Sequence, residues 1–77
     1  MFRFVKLSDK NLKNTYSFST PIGINGILEI VNNDILIKKA RDIFNNELTE
    51  KEKTKLIAVA SNLIKQDYPD KLVYAMS

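Results

Sequence analysis

Lysines 51, 55 and 65 share one face of any helix that runs through them, with Asn62 and Ala58 inside the same arc of about 80°. Three ammonium groups around a small alanine permit close approach to a phosphate backbone. The same arrangement also suits the solvated side of an amphipathic helix, because Glu50 and Glu52 dilute the positive field, and this is the preferred reading. A second cationic set, Arg3, Lys6, Lys10 and Lys13, faces only Asp9 and is interleaved with Phe2, Phe4, Tyr16 and Phe18. Single-strand binders combine backbone-contacting cations with aromatics on which bases stack. With seven aromatic residues in the chain, however, a small core has an equal claim on them, and core packing is the expected use.

The chain has no histidine and no cysteine. It therefore lacks the one side chain that ordinarily titrates near neutrality, and also the thiolate that serves as nucleophile and soft metal ligand. Ser61 and Lys65 stand one helical turn apart, but a serine–lysine nucleophile needs a desolvated lysine, and Lys65 lies on the polar side. The acids are scattered without the paired spacing of a glycosidase, and no phosphate-binding, dinucleotide-binding or calcium-binding loop pattern occurs. No catalytic residue, metal site or cofactor is expected. A binding protein that is not an enzyme is the class that remains.

Gly23-Ile24-Asn25-Gly26, preceded by Ile22, resembles in spacing the backbone-clamping loop of KH-type RNA-binding modules. The resemblance implies contact between this loop and a nucleotide backbone. It covers barely ten residues, and the loop departs from the family pattern. It carries Ile24 and Asn25 where basic residues are usual, and Glu29 where an aliphatic residue is expected. A plain turn leading into a strand is the expected structure.

Seventy-seven residues make one small domain over 1–77, which buries only about 60% of its unfolded surface. Without disulfides, its aliphatic and aromatic core must offset chain entropy alone or with a partner subunit, so a homodimer is one expectation. The lack of cysteine fits a reducing, cytoplasmic setting. No apolar run reaches the roughly 18 residues of a membrane span, and residues 1–7 lack the apolar centre of a signal peptide. The net charge of +3 is modest, and heavy use of Lys, Asn and Ile matches AT-rich codons as well as it matches an anionic partner. Such a chain suits a phage or other mobile element of an AT-rich bacterium.

The elements that must carry these residues are partly plain. Residues 2–7 have strand composition, and 15–20 alternate, with Tyr16 and Phe18 on one face and Ser17 and Ser19 on the other. The polar stretch 8–14 reads as an exposed connection or a short helical turn. Asn32-Asn33 makes a two-residue turn that sets Ile30 opposite Ile35 and Leu28 opposite Ile37, giving a hairpin of 27–31 with 35–38. A helical alternative starts at an Asp34 cap and places Leu36, Ile37, Ala40, Ile43 and Phe44 on one side. The hairpin is preferred, with a helical period from Lys38 to Asn45-Asn46. The clearest element is a helix from Glu50 to about Gln66: Thr49 and Glu52 form a capping box, Tyr68-Pro69 ends it, and Leu56, Ile57, Val59, Ala60, Leu63 and Ile64 make its core stripe. The tail 71–76 is an edge strand or a short helix.

The expected architecture is α+β, a small antiparallel sheet packed against the C-terminal amphipathic helix. The expected function is that of a small protein-binding module, a regulator or inhibitor. Its contact would come from an exposed edge strand or from the apolar tail with Leu72, Val73, Tyr74 and Met76. On this reading, removal of everything after Pro69 leaves the fold intact and abolishes partner capture. The alternative is nucleic-acid binding through Arg3, Lys6, Lys10 and Lys13 or through Lys51, Lys55, Asn62 and Lys65, with an affinity that falls steeply with salt.

Overall fold

The computed structural model describes residues 1–10, 13–41, 44 and 46–75, with the backbone alone at 8–10 and 13. Its element order is β1 (Phe2–Lys10), β2 (Lys13–Ser19), β3 (Asn25–Val31), β4 (Asp34–Arg41), α1 (Glu50–Lys65) and β5 (Lys71–Tyr74). The five strands form one sheet in the order β4-β3-β2-β1-β5, and every neighbouring pair is antiparallel. The chain meanders across four strands, then crosses in α1 from the β4 edge to the β5 edge. This is the α+β architecture expected, with one helix over one sheet face.

Alternation decides which face is covered. Phe2 and Phe4 on β1, Tyr16 and Phe18 on β2, Leu28 and Ile30 on β3, and Leu72 on β5 point to the helix side and are buried together. Register aligns them: Phe4 sits opposite both Phe18 and Leu72, and Tyr16 sits opposite Leu28. Against this face α1 lays Leu56, Val59, Ala60 and Leu63. Fully burying a side chain of this size contributes about 1.5–3 kcal/mol, so this inner layer supplies most of the folding free energy.

Local chemistry fixes the ends. Asn32 and Asn33 both take positive φ (51° and 69°), the backbone that a two-residue hairpin turn requires, and Ile30 and Leu28 face Ile35 and Ile37 as expected. Thr49 Oγ1 accepts from the Glu52 amide while Glu52 Oε1 accepts from the Thr49 amide, completing the capping box. At the C-terminus the Tyr68 amide donates to the Leu63 carbonyl and the Asp67 amide to that of Ile64, a Schellman pattern built without glycine. Asp67 and Tyr68 pay for it with positive φ (60° and 55°), held where the Tyr68 hydroxyl donates to Asn33 Oδ1.

Several expectations need correction. Of the stretch 8–14, residues 8–10, 13 and 14 are strand and not a connection or helical turn, since β1 runs to Lys10 and β2 starts at Lys13; 11 and 12 lie outside the described residues. Residues 38–41 belong to β4, not to a helix. The register slips between Ile27 and Leu28, so Lys39 rather than Lys38 faces Ile27, and this bulge breaks the visible alternation. Of the rest of that expected helical period, Phe44 lies in a turn and Asn46 in irregular backbone, while 42, 43 and 45 lie outside the described residues. Ile57 is 40% exposed instead of joining the core stripe, and lines a shallow groove with Lys53 beside Ile35, Leu36 and Ile37 of β4. Among the described residues, no helix is long and apolar enough to cross a membrane.

Candidate interaction surface

The helix covers one side of the sheet and leaves the other open. Period-two alternation sends Arg3 and Val5 of β1, Thr15, Ser17 and Ser19 of β2, Ile27 and Glu29 of β3, Leu36 and Lys39 of β4, and Lys71 and Val73 of β5 to this outer face. Strand register then arranges them in rows that run across the sheet. One row reads Val73, Arg3, Ser19, Asn25, Arg41, and the next reads Lys71, Val5, Ser17, Ile27, Lys39. Val5 is 42% and Val73 56% exposed, and a shallow depression between Arg3, Val5, Ser17, Ser19 and Asn25 opens beside them.

β5 is one edge of the sheet, and among the described residues its side away from β1 pairs with no strand. Alternate backbone groups of Lys71–Tyr74 are therefore directed outward and free to pair with an added strand. The opposite edge is better defended. β4 carries Asp34, Lys38, Lys39 and Arg41, and a bridge from Arg41 to Glu47 closes part of its length, with the two side chains 3.8 Å apart. Only Lys71 guards β5.

The tail residues named from sequence therefore divide. Leu72 is 9% exposed and lies under α1 opposite Phe4, so it is core and not contact. Val73 points to the open face, and Tyr74, opposite Phe2, is partly exposed on the helix side. Met76 lies outside the described residues. The approach to β5 is also structural: the Lys6 amide donates to the Asp70 carbonyl at 2.8 Å, and the Tyr16 hydroxyl donates to the Pro69 carbonyl at 2.6 Å. Removing everything after Pro69 takes away a core residue and a strand, which corrects the expectation that the fold would survive it.

The basic N-terminal set also divides. Arg3 faces outward, whereas Lys6, three residues on, sits on the helix side, its side chain 14% exposed and 3.8 Å from Asp70. The side chains of Lys10 and Lys13 lie outside the described residues. Phe2, Phe4, Tyr16 and Phe18 are all core, so they offer no stacking platform. On α1, Lys51, Lys55 and Lys65 are exposed as expected, but Asn62 is half-buried, its side-chain amide donating to the Val59 carbonyl at 2.9 Å. Ser61 donates to the Ala58 carbonyl, and Lys65 remains exposed, so no desolvated pair forms. The Gly23–Gly26 segment that resembled a backbone-clamping loop leads from a closed turn into β3: Thr20 Oγ1 accepts from the Ile24 amide, Ile24 is buried, and Asn25 and Gly26 belong to the strand.

Sequence reasoning missed Lys39 and Lys71 as partners of Arg3, because only the register of β4 and β5 brings residues 3, 39 and 71 to one face. The parity signal was present within β1, where odd and even residues must face opposite ways. A second concavity, an apolar cavity of about 260 Å³, lies at the start of α1 between Phe2, Ile22, Ile24, Leu48 and Leu56, with Glu52 and Lys55 at its lip. In comparisons with known proteins, no family model, no curated protein and no solved structure matches this chain.

Proposed function

We propose that this chain is a small, non-enzymatic protein-recognition module that takes its partner along the β5 edge and the adjoining open face of the sheet. One observation carries the reading: among the described residues β5 is an edge with no further strand beyond it, and it places Val73 in solvent beside Val5 and Arg3 on the face away from α1. A strand added there would gain main-chain hydrogen bonds, with specificity coming from the flanking side chains. A regulatory or inhibitory role, a mobile-element source and a cytoplasmic setting fit the short, disulfide-free, Lys/Asn/Ile-rich chain and are part of the same proposal.

The test is site-specific cross-linking in the native cell, with benzoylphenylalanine introduced at Val73 or at Ala58 on the exposed helix face. A protein adduct from position 73 and none from position 58 is the expected result. Adducts confined to position 58, or adducts to nucleic acid, contradict it.

Nucleic-acid binding is the second reading, and the observation in its favour is the exposure of Lys51, Lys55 and Lys65 on one face of α1. It requires an oligonucleotide affinity with a salt slope of about one per phosphate contact, lost in the triple glutamine variant of those lysines.

A further inference from the structure

The open face has a charge pattern that the chain's modest net charge conceals. The two cross-strand rows nearest the β5 end hold Arg3, Arg41, Lys39 and Lys71 and no carboxylate. Arg41 is engaged by Glu47, but among the described residues Arg3, Lys39 and Lys71 have no ion-pair partner. Arg3 lies opposite Val73 and Val5 opposite Lys71, so Arg3 and Lys71 are diagonal neighbours, about 7–8 Å apart at the backbone. Two cations on the same face at that backbone spacing can both reach one anion placed between them. The hydroxyls of Ser17 and Ser19 and the amide of Asn25 add hydrogen-bonding groups alongside, and Val5, Ile27 and Val73 add aliphatic surface.

We infer that the occupant of the β5 edge is an acidic, extended segment of a partner protein, with its carboxylates set against Arg3 and Lys71; this rests on the recognition reading above. A strand paired to β5 alternates its side chains across the same two faces as β5 does. On the outer face it meets Lys71 and Val73, and on the helix side it continues the apolar line of Leu72 and Tyr74. A segment alternating acidic and aliphatic residues satisfies both. A second copy of this chain does not, because β5 paired with β5, Leu72 opposite Leu72, sets Lys71 opposite Val73 and brings no carboxylate to Arg3 or Lys71. A nucleic-acid strand fits less well, since the described strand residues send no aromatic ring to the open face and aliphatic side chains occupy it instead.

The test is fluorescence anisotropy on the full chain with a labelled peptide of about ten residues alternating glutamate and valine, compared with the same peptide carrying glutamine for glutamate. The acidic peptide is expected to bind at least about tenfold more tightly than the neutral one and to lose about tenfold in the Arg3→Gln/Lys71→Gln variant. It is expected to keep its affinity in Lys51→Gln/Lys65→Gln, which removes the same charge from the helix. Equal affinity for both peptides, equal loss in both double variants, or no binding of the acidic peptide at about 1 mM overturns the inference. So does a thymidine oligonucleotide that binds more tightly than the peptide through Arg3 and Lys71. If both peptides bind equally and Val73→Glu abolishes binding of each, the β5 edge stands as the docking strand and only the acidic partner falls.

Discussion

The two faces of the sheet are built from the same strands yet do opposite work. On the helix side each strand contributes aromatic and aliphatic side chains to one sealed layer, in which Phe4, Tyr16, Leu28 and Ile30 are almost wholly buried. On the other side the intervening residues are hydroxyl-bearing and aliphatic side chains, several cations and Glu29, more open to solvent and gathered from residues as distant in sequence as Arg3, Lys39 and Lys71. The first face holds the core, and the second is the one proposed for recognition. A single period-two pattern thus separates the two.

Truncation after Pro69 is the harshest test of that division, because β5 belongs to both faces. Loss of Leu72 and of the β1–β5 ladder is expected to abolish the cooperative thermal transition followed by circular dichroism, and a truncated chain that melts as sharply as the full one contradicts the division. Adjacent residues of β1 sharpen it next. Phe4→Ala on the buried face is expected to lose about 3–5 kcal/mol in urea denaturation, whereas Val5→Ala on the open face should lose less than about 1 kcal/mol. Gly26 tests how tightly the inner layer closes. An added Cβ there runs into the Lys39 carbonyl and lies 2.8 Å from the Phe18 ring, so Gly26→Ala is expected to cost about 1–3 kcal/mol by the same titration. The smallest effect belongs to the cations. Arg3→Gln with Lys39→Gln should shift stability by no more than about 0.5 kcal/mol, since neither side chain is paired, and a larger loss would mean that the open face also serves the fold.

What could be read from the sequence follows the same division. The Asn32-Asn33 turn, the Ile30–Ile35 and Leu28–Ile37 pairs and the Thr49–Glu52 capping box are local, and each has a residue pattern with one physical cause. The alternation of Tyr16 and Phe18 with Ser17 and Ser19 likewise named its inner and outer faces correctly. The far half of the first hairpin was not legible, because Ser8 to Lys10 carry no apolar alternation and pair only because β2 lies alongside. The bulge at Lys38 hid the last part of β4 in the same way. Leu72 looked like contact surface because four residues cannot show which side faces a core, and that is decided by Phe4 across the strand. The cationic face was least legible of all, since Arg3 appeared to belong with Lys6, its neighbour in sequence, and in fact belongs with Lys71, its neighbour across the sheet.

The most direct measurement is a backbone amide shift map of the full chain titrated with the alternating glutamate–valine peptide. Recognition at the β5 edge requires the largest changes at Arg3, Val5, Lys71 and Val73, with Ser17 and Ser19 following and the exposed face of α1 silent. Changes centred on Lys51, Lys55 and Lys65, or around Ile22 and Leu48 at the apolar cavity, would contradict it.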